Sequence, residues 1–149
     1  MEKKRLLPPT YFLICILLAI VMHFTLPFFR LIHPPYNYVG ALFIGVGIWF
    51  NFWPDRLFKR KNTTVNPFEK PTFFIQEGPF CFTRHPMYLG MVIVLIGEAV
   101  LLGSISPFIC PLGFFIAMHL IFIPKEEEAL EKAFGQHFIS YKKRVRRWL

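Results

Sequence analysis

The chain has 149 residues, 54% of them hydrophobic and 18% aromatic against only 17% charged; this balance excludes a disordered segment and an ordinary soluble domain and points to a small integral membrane protein. Its net charge of +8 is gathered at Lys3 to Arg5, Arg56 to Lys61 and Lys142 to Arg147, each cluster beside a hydrophobic block. That placement reads as topology and lipid-headgroup contact and excludes a nucleic-acid reader, whose basic residues would be spread along a polar face with aromatics between them.

In chain order, the sequence predicts one all-α, polytopic membrane domain over 1–149, with spans at 11–32, 36–54, 86–103 and 107–124. The first block follows a basic MEKKR. It is too long for the apolar core of a signal peptide and no small-residue cleavage site follows, so it is read as a mature spanning helix. Pro34 and Pro35 break the chain before the second block, whose Gly40, Gly45 and Gly47 would allow close helix contact. The segment 55–85 is polar, carries prolines and has no sustained period, which predicts a loop that folds back towards the membrane. The third and fourth blocks form a helical hairpin, turned at Gly103 to Ser106. Each is shorter than the roughly 20 residues that comfortably cross a bilayer, so tilt or borrowed flanking residues are required. The N-terminus, the long loop and the C-terminus carry nearly all the Lys and Arg, which places both termini in the cytoplasm.

The tail is amphipathic. Leu130, Phe134, Phe138, Tyr141, Val145 and Trp148 recur every three or four positions, which predicts a helix over 125–148, bent at Gly135, that lies on the membrane surface or covers a site. Cys15, Cys81 and Cys110 form no CxxC pair, and the histidines never reach ligand spacing, so neither a disulfide framework nor a metal site is expected.

Polar chemistry concentrates in two places. In GPFCFTRHPMYLG, Pro86 suits the first position of a helix, so Arg84 and His85 stand at a helix start where free N–H groups and the positive dipole end favour an anion. As an isolated motif this better fits two basic residues anchoring a helix at the headgroups. The second cluster is Glu126, Glu127 and Glu128, just beyond the fourth block on the same membrane face as Arg84. Acidic residues are unusual at a cytoplasmic edge if topology is their only task. Together the clusters describe a pocket offering Arg and His to an anion and Glu to a cation or to hydroxyls. Glu98, inside the third block, is expected to make an interhelical hydrogen bond or a headgroup contact.

These two motifs, TTVNPFEKPTFFIQEGPFCFTRHPMYLG and EEEALEKAFGQHFISYKKRV, resemble the membrane methyltransferase superfamily of isoprenylcysteine carboxyl methyltransferases and phospholipid N-methyltransferases. The similarity covers roughly Thr63 to Val145. Its G-P turn falls on Gly78 and Pro79, its R-H-P-x-Y-x-G on Arg84, His85, Pro86, Tyr88 and Gly90, and its E-E-x-x-L-x-x-x-F-G on Glu126, Glu127, Leu130, Phe134 and Gly135. Of the family's two later tyrosines, one falls on Tyr141 and the other meets a departure, Phe138. The resemblance implies an S-adenosylmethionine site formed by Gly78, Pro79, Arg84, His85, Pro86, Tyr88, Leu89, Gly90, Glu126, Glu127 and Tyr141, with Glu127 and Arg144 in the chemistry. Arg144 is the candidate for steering a carboxylate acceptor, against its reading as one more surface cation of KKRVRR.

The implied partner is a lipid-borne, prenylated or otherwise hydrophobic methyl acceptor, with no metal and no nucleic acid; carboxyl methylation of the isoprenylcysteine type leads and phospholipid N-methylation is the alternative. Two rivals stand beside them. Sterol-type NADPH reductases share a related R-H-P-x-Y-x-G but tend to carry an acidic residue after that glycine, where this chain has Met91. A non-enzymatic membrane scaffold would use both clusters only as anchors.

Overall fold

The computed structural model describes residues 7–26, 28–60 and 74–149. The basic Lys3 to Arg5 cluster, Lys61 and the middle of the expected loop, 61–73, therefore lie outside the described residues. Six α-helices carry the fold: α1 (Pro8–Thr25), α2 (Val39–Arg60), α3 (Pro86–Leu102), α4 (Ile109–Ala117), α5 (Ile123–Phe134) and α6 (Gln136–Arg144). Among the described residues there is no strand, only an isolated bridge between Arg30 and Ser104.

The chain is inside out relative to a soluble bundle. A small core forms around Leu95, Phe114, Met118 and Met91 between α3 and α4. Meanwhile Leu17 of α1 is 65% exposed, Leu42 of α2 is 68% exposed and Leu120, beyond α4, is 66% exposed. Bare leucine on all three segments is apolar surface that water would penalise and lipid would not. By length and composition two helices can cross a membrane, Pro8–Thr25 and a continuous rod over Ser106–Phe134. The α3 helix is apolar but shorter, with 17 residues, and α2 ends in polar turns.

Helices α2 and α3 run antiparallel with their backbones in contact. A Cβ on Gly97 would fall 2.7 Å from the Gly40 carbonyl oxygen, and one on Gly90 would fall 2.7 Å from that of Gly47 and 2.4 Å from Nδ2 of Asn51. The seven-residue spacing on both helices puts each glycine pair on the facing stripe. Gly40 and Gly47 therefore serve the packing expected of them, whereas Gly45 has nothing within 4 Å.

Three boundaries differ from the sequence reading. First, α2 does not stop at Pro54 but continues to Arg60, so the loop begins later. Asp55 and Lys59 pair across one turn at 2.6 Å, and Lys59 and Arg60 complement the C-terminal dipole. Secondly, the fourth block (107–124) and the start of the tail (from 125), read as two helices, form one continuous helix. The 29-residue rod passes through a π turn at Met118–Phe122 and is roughly 44 Å long at 1.5 Å per residue. A hydrocarbon core of about 30 Å leaves its last two or three turns outside, and these carry the glutamates. Thirdly, the tail helix does break at Gly135, which takes φ +52, but it ends at Arg144. Val145 is extended, with φ −115° and ψ 131°.

Candidate functional site

The site is built where the start of α3 meets α5. Gly78, with φ +65, opens a 3₁₀ turn over Gly78–Cys81. Pro79 follows it, and the chain then reaches Thr83, Arg84 and His85 before Pro86 begins α3 as the sequence suggests. Thr83 is fully buried and acts as a strut. Its hydroxyl donates to the Arg147 carbonyl at 3.1 Å and accepts the His85 backbone N–H at 3.3 Å.

Arg84 and His85 meet the glutamates. Nη2 of Arg84 lies 3.2 Å from Oε1 of Glu127, and Nε2 of His85 lies 3.3 Å from the same oxygen. Nδ1 of His85 approaches Oε2 of Glu126 at 3.6 Å. A third cation arrives from the C-terminal end: Arg147 donates from Nε to Oε1 of Glu127 at 3.2 Å and from Nη2 to Oε2 at 2.8 Å. Lys142 stands further off, 3.8 Å from Oε2.

The electrostatics follow from that arrangement. Burial alone would raise the Glu127 carboxyl, but hydrogen bonds from His85 and Arg147 and the charges of Arg84 and Arg147 pull it down to about 2. Burial likewise pushes the His85 imidazolium towards neutrality, yet Glu126 and Glu127 outweigh it and raise the pKa above its usual value. Arg84 is lowered by burial, against the opposing pull of Glu127. The hub is an ionised carboxylate surrounded by cations, with Glu126 beside it.

A cavity of about 300 Å³ opens in front of this hub. Its polar wall is Arg84, His85, Tyr88 and Glu126, and its apolar walls include Phe58, Phe80, Met87, Met91 and the start of α1 at Leu7 to Pro9. Tyr88 stacks on His85 with ring centroids 5.7 Å apart. Two groups on the polar wall are buried and without a hydrogen-bond partner: Nε and Nη1 of Arg84, and Oε2 of Glu126. The Arg84 side chain is only 9% exposed and belongs to the cavity wall, so a group held in the cavity can satisfy these donors.

Of the residues the sequence singled out, Arg84, His85, Tyr88, Glu126 and Glu127 come together. The others take supporting places. Glu127 sits behind the cavity wall, fully engaged, and does not line it. Leu89 gives its N–H to the His85 carbonyl in the first turn of α3, and Gly90 packs against α2. The Tyr141 hydroxyl donates to the Phe80 carbonyl at 2.7 Å, and burial raises its pKa. Arg144 is exposed and donates to Oε1 of Gln76 at 2.9 Å. Phe138 is buried, 5.7 Å from Phe74 between ring centroids, so the apolar contact at the departed tyrosine position is kept. Glu98 does not make the expected bond through Oε2, which is buried without a partner among the described residues. Sequence reasoning missed Arg147, Thr83 and the pairing of Trp148 with His119. Only the position of Trp148 on the apolar stripe pointed inward.

Comparison with known families decides the class. A family model described as phospholipid methyltransferase matches residues 36–137, from the turn before α2 into α6. The chain belongs to the phospholipid methyltransferase family. An uncharacterized protein of Haemophilus influenzae is similar as well, 33% identical over 63 residues that make up 42% of this chain and all of the relative. Family membership and the exposed leucines agree on a membrane location, and the family implies methyl transfer as the activity. Among the described residues no cluster of His, Cys, Asp or Glu is suited to a metal ion.

Proposed function

We propose that the protein is an integral membrane, S-adenosylmethionine-dependent methyltransferase that holds its cofactor at the cavity before α3 and methylates a lipid-borne or hydrophobic acceptor. The carrying observation is the pair of opposite groups on one wall: the Arg84 guanidinium, whose Nε and Nη1 have no hydrogen-bond partner, and the Glu126 carboxylate, whose Oε2 has the His85 Nδ1 no nearer than 3.6 Å. A zwitterionic amino-acid group satisfies both: its carboxylate takes the free N–H groups of Arg84 and its ammonium takes Oε2 of Glu126. S-adenosylmethionine has such a group and, when bound, supplies an electrophilic methyl. Tyr88, with one face held by His85, offers its remaining surface to a flat ring.

The chain's own residues then have little acid or base chemistry to perform. Arg84 and Glu126 orient, while Phe58, Phe80, Met87 and Met91 exclude water. We favour a carboxylate acceptor of the isoprenylcysteine type. It is already ionised at neutral pH and needs no base. Phospholipid N-methylation is the second reading, because the matching family model is described as phospholipid methyltransferase. Four spans with both termini in the cytoplasm complete the proposal: α2 and α3 cross together as the glycine-packed pair, and the cavity faces the cytoplasmic rim.

The test uses the full chain purified in detergent. S-adenosylhomocysteine should bind, and Arg84→Ala and Glu126→Gln should each weaken it. Tritiated methyl should pass to N-acetyl-S-farnesylcysteine as a base-labile ester, and not to phosphatidylethanolamine vesicles as a base-stable product; the reverse pattern selects the second reading. Absence of cofactor binding, or NADPH oxidation in its place, overturns the proposal.

A further inference from the structure

The residues after α6 reach the ion-pair hub from a segment that the family match, ending at residue 137, does not include. Beyond Arg144 the chain runs extended beside the turn before α3. The Arg84 backbone N–H donates to the Arg146 carbonyl at 3.0 Å, and the Thr83 hydroxyl holds the Arg147 carbonyl at 3.1 Å. Trp148 anchors the far side: its Nε1 donates to Nδ1 of His119 at 3.1 Å, and its ring lies 4.6 Å from that of Phe115. Between these fixed points Arg147 meets Glu127 with two N–H groups on two oxygens. A fork of this kind fixes the plane of a carboxylate, which a single ammonium cannot do.

We infer that Arg147 is a positioning residue: by clamping Glu127 from behind, it holds the oxygen shared by Arg84 and His85, so that the free N–H groups of Arg84 stay aimed into the cavity. The inference rests on the reading of that cavity as the cofactor site. The need for a clamp is physical. Behind Glu127 lies an open cleft of about 340 Å³ lined by Glu128, Glu131, Lys132 and Lys142. Without the fork, only Lys142 at 3.8 Å restrains Oε2 among the described residues, and the carboxylate has room to turn towards that cleft. Arg84 would then lose its buried counter-ion and could fold onto Glu126, closing the two groups that receive the cofactor.

The test compares full-length wild type with Arg147→Ala and Arg147→Lys in detergent, with two readouts. Titration with S-adenosylhomocysteine should weaken at least tenfold in both variants, and ethylguanidinium should partly restore Arg147→Ala. Separately, NMR of isotope-labelled histidine should show the His85 titration moving down in Arg147→Ala. His85 stays buried among Arg84, Tyr88 and Glu126 while the Glu127 carboxylate departs. If Arg147 only neutralised charge, Glu127 would remain in place and the His85 titration would move up. That rise, or an unchanged titration, overturns the inference. Wild type failing to bind the cofactor product would sink the cofactor reading alone, because the His85 titration still decides the clamp. Should Arg147→Ala not fold, Arg147→Lys keeps the charge without the fork and carries the same readouts.

Discussion

Replacing Glu127 by Gln keeps the shape of the side chain and removes its charge, so the outcome can be worked from the hub. The carboxyl sits at about 2, against an ordinary 4.5. At roughly 1.4 kcal/mol per pH unit, the ionised form is favoured in the fold by about 3 kcal/mol. The folded pKa is the lower one, so this stability is fully present above the unfolded value and is lost as pH falls from about 4.5 towards 2. Glu127→Gln should therefore be about 3 kcal/mol less stable than wild type near neutral pH. The gap should close on acidification, where the wild-type carboxyl is protonated too. Reversible unfolding in mixed micelles, followed by circular dichroism at a series of pH values, measures it. A neutral-pH gap below about 1 kcal/mol, the range of exposed ion pairs, or a gap independent of pH, refutes the idea that Glu127 is the buried counter-ion of Arg84, His85 and Arg147.

Other outcomes follow from single residues. Gly90→Ala should lose about 1–3 kcal/mol through overpacking against Gly47 and Asn51, while Gly45→Ala, in open space, should be neutral or gain up to about 1 kcal/mol of helix propensity; parallel unfolding curves compare them. Arg144→Ala, which loses one exposed bond to Gln76, should leave cofactor affinity within about threefold, a change under 1 kcal/mol, and calorimetric titration reads it. Stability contributed by His85 should be present at low pH and be lost as pH rises through its raised pKa, so His85→Gln should flatten the alkaline limb of the wild-type stability profile. Cys81, exposed on the turn before α3, should resist a membrane-impermeant maleimide in intact cells and react after lysis; labelling of intact cells reverses the proposed orientation.

Much of this site was legible because its signals are local. Pro86 marks the start of α3, the run of glutamates follows an apolar block by fixed length, and a hairpin between those blocks forces the two clusters to one rim. Gly135 likewise declares a break that its positive φ realises. The end of α2 was misplaced because Pro54 and a polar composition imitate a loop, whereas the Asp55 to Lys59 pair sustains another turn and a half. Arg147 could not be singled out within KKRVRR, since nothing in its spacing differs from that of its neighbours. Its role arises from the carbonyls of Arg146 and Arg147, which are drawn to Arg84 and Thr83 and end the helix early. That is a tertiary override of an amphipathic pattern, invisible to periodicity.

One consequence concerns the host bilayer. The apolar helix that begins at Ser106 and is long enough to cross a membrane is the same continuous shaft that carries Glu126 and Glu127 to Arg84. An apolar stretch meets a change in hydrocarbon thickness by tilting or by deforming the bilayer around it, so thickening or thinning the lipid loads the contact between the acidic partners and the basic ones. Activity in vesicles should then peak at one acyl length, making the enzyme a gauge of the membrane around it.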